Sequence, residues 1–164
     1  MANNRVYKTG DYKLINPGKY KGSKAPKYKS SFEERIFWWC DVNENIIEWS
    51  YEAYPIQYIF EGDRTWTDYE KSLADRISHR YYPDIFIKVK DNQDKIINYI
   101  LEIKPYSQTV KPVEPKKKTK KALAKYENAL TEFLKNAKKW EAAEKFAKER
   151  GMVFKVLTER NLFT

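Results

Sequence analysis

Apolar and polar positions along the 164-residue chain change period several times, and each change marks an element. Phe32, Ile36, Trp39 and Cys40 recur at steps of three and four, which predicts a helix over about residues 31–41. Ser30 or Ser31 can cap it, Glu33 and Glu34 suit the positive end of its first turn, and Asn43 and Asn45 break it. Residues 46–58 switch to a period of two, with Ile47, Trp49 and Tyr51 alternating and Pro55 favouring an edge or bulge. Residues 61–80 are polar, and their composition suits a short helix or irregular excursion around residues 69–78.

Alternation returns over residues 81–89, where Ile85, Ile87 and Val89 share one face and Asp84, Phe86 and Lys88 the other. Residues 90–95 are turn formers. Residues 96–104 make a second strand, with Ile97, Tyr99, Leu101 and Ile103 on one face and Ile100, Glu102 and Lys104 on the other. Farther on, Leu123, Tyr126, Leu130, Phe133, Ala137 and Trp140 follow helical spacing, with Phe146 and Ala147 beyond them. Residues 122–150 therefore read as one long helix or two close ones. Gly151 is a stop, residues 152–157 a final short strand, and Thr158 the cap of a terminal turn. Helix, strands, helix, strand is the order of a mixed α/β single domain.

Composition adds a partner to this picture. At 41% hydrophobic and 16% aromatic residues, the chain has apolar material for one core, and at this length not for two. The formal net charge of +9 is unevenly held: residues 1–29 carry +7, residues 111–121 carry +5, and the remainder is mildly acidic. Clustered cations favour a polyanion, because each neutralised phosphate releases counterions. The first segment is rich in Tyr, Gly and Lys, lacks any period, and reads as a basic arm ahead of a domain at 30–164. The second has prolines at 112 and 115 and reads as part of an exposed basic loop over 105–121.

Other classes fall away. The single cysteine, Cys40, excludes a disulfide framework and a multi-cysteine zinc site, and its apolar neighbours make it a core residue. No apolar run is long enough to span a bilayer, and the first thirty residues lack the pattern of a signal peptide. An intracellular or particle-borne protein is expected, with no membrane partner and no small-molecule cofactor.

Candidate chemistry enters with the hairpin. A turn centred near Gln93 pairs residues whose numbers sum to about 186, which sets Asp84 opposite Glu102. Opposed carboxylates repel unless a cation lies between them, and magnesium prefers such oxygens. Lys104, two residues on, shares the face and can orient or help deprotonate a water, or steady charge on a phosphate. The plainer alternative is an Asp–Lys–Glu salt-bridge ladder on a solvated sheet face.

Pro83-Asp84 followed by Glu102-Ile103-Lys104 resembles the signature of the PD-(D/E)XK nuclease superfamily. The runs Tyr28-Lys-Ser-Ser-Phe-Glu33, Trp39-Cys-Asp41, Ile47-Glu-Trp-Ser50, His79-Arg-Tyr-Tyr-Pro-Asp84, Leu101-Glu-Ile-Lys-Pro105 and Lys139-Trp-Glu-Ala-Ala143 look like the head-completion nucleases of T-even-type tailed phages. The core is also similar to transposon-end endonucleases of TnsA type. The resemblance covers about residues 20–160, with its segments in matching order. It implies a restriction-endonuclease-like fold, a mixed β-sheet flanked by helices. It further implies that Glu33, with Glu34 as fallback, joins Asp84 and Glu102 in binding magnesium, for which manganese can substitute, and that Lys104 assists the attacking water. The implied activity is hydrolysis of double-stranded DNA during virion assembly, at the portal and the packaged DNA end. Portal or neck proteins are then the partners, and the virion and the host cytoplasm during assembly are the locations.

His79 and Arg80, with Lys111, Lys116, Lys117, Lys118, Lys120 and Lys121, are the expected DNA contacts. Trp38, Trp39 and Trp140 read as core aromatics, and Lys138 and Lys139 as a solvated helix face, the alternative being that they face DNA as lysines after Glu-x-Lys do in the superfamily. Two other readings stay open: a DNA-binding head plug whose nuclease-like face is idle, and a repair or transposition endonuclease of the same fold.

Overall fold

The structure, a computed structural model, describes residues 8–60 and 78–161. In chain order its elements are β1 (Gly10–Asp11), β2 (Lys27–Tyr28), α1 (Ser31–Val42), β3 (Ile46–Tyr51), β4 (Ile56–Ile59), β5 (Ser78–Tyr81), β6 (Ile85–Lys90), β7 (Ile96–Ile103), α2 (Lys120–Glu149) and β8 (Val153–Leu157). Four strands form a mixed sheet in the order β3-β6-β7-β8, antiparallel at the first two junctions and parallel at β7-β8. The parallel junction needs a crossover, and α2 supplies it. Strand β4 pairs with β5 and β1 with β2 in separate two-stranded ladders. This is the mixed α/β domain with helix-flanked sheet that the sequence led us to expect.

Helix α1 starts where expected, because Ser30 Oγ accepts from the Glu33 N–H at 3.1 Å. It lays Ile36, Phe37 and Cys40 against Trp49, Tyr51, Ile85, Ile87, Leu101 and Ile103, so one face of the hairpin is core, as its isoleucines indicated. The hairpin register also agrees: Ile85 pairs with Leu101 and Phe86 with Ile100. Its turn is fixed by Asp91 Oδ1, which accepts from the N–H groups of Gln93 and Lys95, and by Asp94 at φ 60°.

The opposite face is not the solvated one of a salt-bridge ladder. Helix α2 covers it, with Ala143 and Ala147 wholly buried, and Phe146, Tyr54, Phe154 and the β4-β5 residues Ile56, Tyr58 and Tyr81 complete a second core. Small residues let the helix approach closely. α2 runs unbroken to a left-handed Gly151 (φ 66°), where Met152 N–H donates to Ala147 and Gly151 N–H to Lys148.

Several expectations are corrected. The extended stretch 46–58 is two strands in different sheets, since Glu52 takes a left-handed φ of 45° and turns the chain away. The 81–89 strand likewise breaks between Tyr81 and Ile85. Ala137 is exposed and Asn136 takes the inward position. Trp38 is 53% exposed, because Phe37 fills the core position next to it. The excursion expected around 69–78 lies outside the described residues except for Ser78, which opens β5.

The basic segment before residue 30 is no separate arm over its described part. Tyr12, Leu14, Tyr20 and Tyr28 pack on the α1 core, and Tyr20 meets Trp49 edge-on at 4.7 Å. Buried Asp41 fastens the strap by accepting from Ile15 N–H at 2.7 Å, Asn16 N–H at 3.0 Å and Tyr12 O–H at 3.2 Å. Its tyrosines carry no period because they are placed by pairing and ring packing rather than by a long element.

Candidate active site

The acidic pair sits at the end of the sheet where β6 begins and β7 finishes. One step beyond the Ile85–Leu101 pair sets Asp84 opposite Glu102. Asp84 Oδ2 accepts from the Ile103 N–H at 2.6 Å, which pins the aspartate to the neighbouring strand. Glu102 is 4% exposed. Its Oε1 lies 3.2 Å from Lys104 Nζ, and its Oε2 is buried with no hydrogen-bond partner.

Both acids hold their protons more tightly than ordinary carboxylates do. For Asp84 burial is the main cause and the neighbouring Glu102 the next, with Lys104 opposing. For Glu102 burial again leads, opposed by Lys104, Lys139 and Lys29. A metal-free pair is therefore short of positive charge, although three ammonium groups already surround it.

For one of those ammonium groups the sequence favoured the wrong alternative. Lys139, placed there on a solvated helix face, is half-buried on α2 and stands 5.7 Å over the Tyr58 ring and 5.8 Å over the Tyr81 ring. Burial, and then the nearby Lys104, lowers its pKa. Helical spacing placed it beside the Trp140 and Ala143 stripe, which was the available signal. Lys138 is the exposed neighbour, paired with Glu141 at 3.2 Å. The Tyr81 hydroxyl is also buried there without a partner, and burial raises its pKa.

The remaining expected residues are placed as follows. Glu33 is turned back on its own helix start, its Oε2 accepting from the Lys29 N–H at 2.6 Å. Its charge nonetheless reaches Asp84. Glu34 pairs with Lys8 at 2.8 Å on the outer side of α1. His79 stacks on Tyr58, ring centroids 5.3 Å apart, with a buried and unpartnered Nε2. Arg80 points from the other face of β5 and is exposed. Lys111, Lys116, Lys117 and Lys118 are exposed in the loop, while Lys120 and Lys121 are the exposed first residues of α2, so the loop ends earlier than expected. That first turn carries no acidic residue, so these lysines face the positive helix end uncompensated. The axial rise of α2 sets them about 28 Å from Lys139.

The donors fit a hard divalent cation. They are carboxylate oxygens, one of them orphaned in the interior, in a pair whose mutual repulsion such an ion removes. Among the described residues no three acidic, histidine or cysteine side chains are gathered for metal binding, since Glu33 is engaged as a cap.

A helix-flanked mixed sheet whose central hairpin opposes an Asp to a Glu-x-Lys defines a nuclease domain of restriction-endonuclease-like type. Comparison with known proteins narrows this. The family model for the TnsA-like endonuclease N-terminal domain matches residues 43–159. The head completion nuclease of Enterobacteria phage T4 is 33% identical over 155 residues, covering 94% of this chain and 93% of that protein. The chain belongs to the TnsA-like endonuclease family, in its phage head-completion branch.

Proposed function

We propose that this head-completion nuclease is a divalent-metal-dependent DNA endonuclease whose reacting phosphate lies over Asp84, Glu102 and Lys104. The observation that carries this reading is the buried carboxylate pair, with Glu102 Oε2 unpartnered and an ammonium 3.2 Å from Oε1. An idle structural face would gain nothing from two acids whose burial costs stability.

Asp84 and Glu102 would hold magnesium or manganese, with Glu33 the third expected ligand. Such an ion supplies Lewis-acid polarisation of the phosphate and the positive charge that lets both carboxylates ionise. The Ile103 N–H keeps Asp84 aimed at the pair. Lys104 orients the attacking water and balances the negative charge that grows on the phosphate. Lys139 adds a second ammonium from the α2 side, held over two tyrosine rings.

Lys120 and Lys121, at the far end of α2 from Lys139, are too distant to touch the reacting phosphate. A span of about 28 Å along α2 corresponds to about eight base pairs, so they hold the flank of the duplex. His79 and Arg80, on opposite faces of β5, would divide between packing and backbone contact. The name of the phage T4 relative supports action during head completion; portal or neck proteins as partners and the virion as place of residence are proposed with it.

The test is cleavage of duplex DNA by the purified protein with magnesium or manganese. Glu102→Ala and Lys104→Ala should each abolish it while remaining folded, and undiminished cutting by both variants ends the proposal.

A further inference from the structure

We propose that Lys29 is a third phosphate-contacting cation of this site, presented from the α1 side, and that Glu52 is the residue that positions it. The inference rests on the nuclease reading and adds a residue to it.

Lys29 immediately precedes the α1 cap, where its N–H donates to Glu33 and its side chain runs to Glu52 Oε1, Nζ at 3.2 Å. Glu52 is fixed from several directions. Tyr51 O–H donates to Oε1 at 2.8 Å, and the Glu52 N–H donates to the Asp84 carbonyl at 3.0 Å. Its φ of 45° is a conformation a glutamate rarely adopts, and it persists only where surroundings over-determine it. The backbone of the catalytic aspartate and the anchor of Lys29 are thus one hydrogen-bonded unit.

Charge counting says what this unit is for. Lys24 also reaches Glu52, Nζ to Oε2 at 3.7 Å, with its ammonium 4.7 Å over the Tyr82 ring. Two ammonium groups share the Glu52 carboxylate, so one positive charge is left over in that trio, next to an α1 first turn whose positive end Glu33 and Glu34 already compensate. The charge of Lys29 acts on both Asp84 and Glu102. Its side chain is 64% exposed and open to a phosphate from solvent. An exposed pair of this kind adds little to stability. A phosphate over the acidic pair would then lie between Lys104 and Lys139 on the α2 side and Lys29 on the α1 side.

Two measurements decide the matter. In the Glu102→Gln background, binding of a fluorescent 20-base-pair duplex is titrated against potassium chloride. Lys29→Gln should lower the slope of log K on log salt by about 0.9, one phosphate contact. Lys90→Gln, an equal loss of charge at the hairpin turn, should leave the slope alone. With Glu102 intact, Lys29→Gln should lower kcat at saturating DNA at least about tenfold and Lys29→Arg should restore most of it. Glu52→Gln should lower kcat with Lys29 present and add little once Lys29 is glutamine. An unchanged salt slope or unchanged kcat in Lys29→Gln overturns the role of Lys29, and equal Glu52→Gln effects in both backgrounds overturn its positioning by Glu52. Absence of cleavage by the wild-type protein would remove the nuclease reading instead, and the binding titration would still decide whether Lys29 meets phosphate.

Discussion

Asp84→Asn should make the metal-free protein more stable while destroying its activity. Opposed residues on one sheet face have Cβ atoms about 5 Å apart. Two carboxylate charges at that distance repel by about 3 kcal/mol at an effective dielectric of 20. Burial adds to the cost of ionising Asp84, and the Ile103 N–H and Lys104 remove part of it, leaving a net penalty of several kcal/mol, about 1.4 kcal/mol for each unit by which the pKa is raised. The asparagine carbonyl can still accept from the Ile103 N–H, so the substitution removes charge without removing the bond. The sign follows from linkage. Folding raises the Asp84 pKa from 3.8 to about 8, so the native state holds a proton the unfolded chain has lost, and wild-type stability falls as pH rises through that window. Urea unfolding followed by tryptophan fluorescence in EDTA should therefore show wild type and variant near parity at pH 4 and the variant ahead at pH 8. Saturating magnesium should close the gap by stabilising the wild type alone. A variant less stable than wild type at pH 8 without metal would refute the reasoning.

Other consequences follow from the same structure. Asp41→Ala, which strips three hydrogen bonds from the strap over residues 12–16, should cost about 2–4 kcal/mol and speed proteolysis before residue 28, both measured on the purified protein. Changing Lys116, Lys117, Lys118, Lys120 and Lys121 to glutamine should lower the salt slope of DNA binding by up to about 4.5, equally for unrelated sequences, with little change in kcat for bound DNA. Gly151→Ala, at φ 66°, should cost about 1 kcal/mol in urea unfolding without touching cleavage.

The core of the site was legible because a hairpin obeys local rules. Turn position fixed the register, register opposed Asp84 to Glu102, and period two put Lys104 on the same face. Helix α1 was legible through its cap and stripe. What escaped notice depends on contacts distant in sequence. Glu52 turns the chain by a backbone conformation no residue pattern announces, and the strap over residues 8–29 is held by Asp41, which looked like an ordinary helix end. Lys139 looked solvated because its cover, Tyr58 and Tyr81, comes from a ladder that pairs only in three dimensions. Trp38 shows the converse error, an aromatic counted into the core when its neighbour Phe37 fills that place.

The central claim is that Asp84 and Glu102 share a divalent cation. Anomalous diffraction from crystals soaked in manganese, collected on wild type and Glu102→Gln, tests it most directly. The account predicts one strong wild-type peak within coordination distance of Asp84 and of Glu102 Oε2, lost in the variant. A protein that cuts DNA while its manganese binds elsewhere, or in which the peak survives the Glu102 substitution, would contradict it.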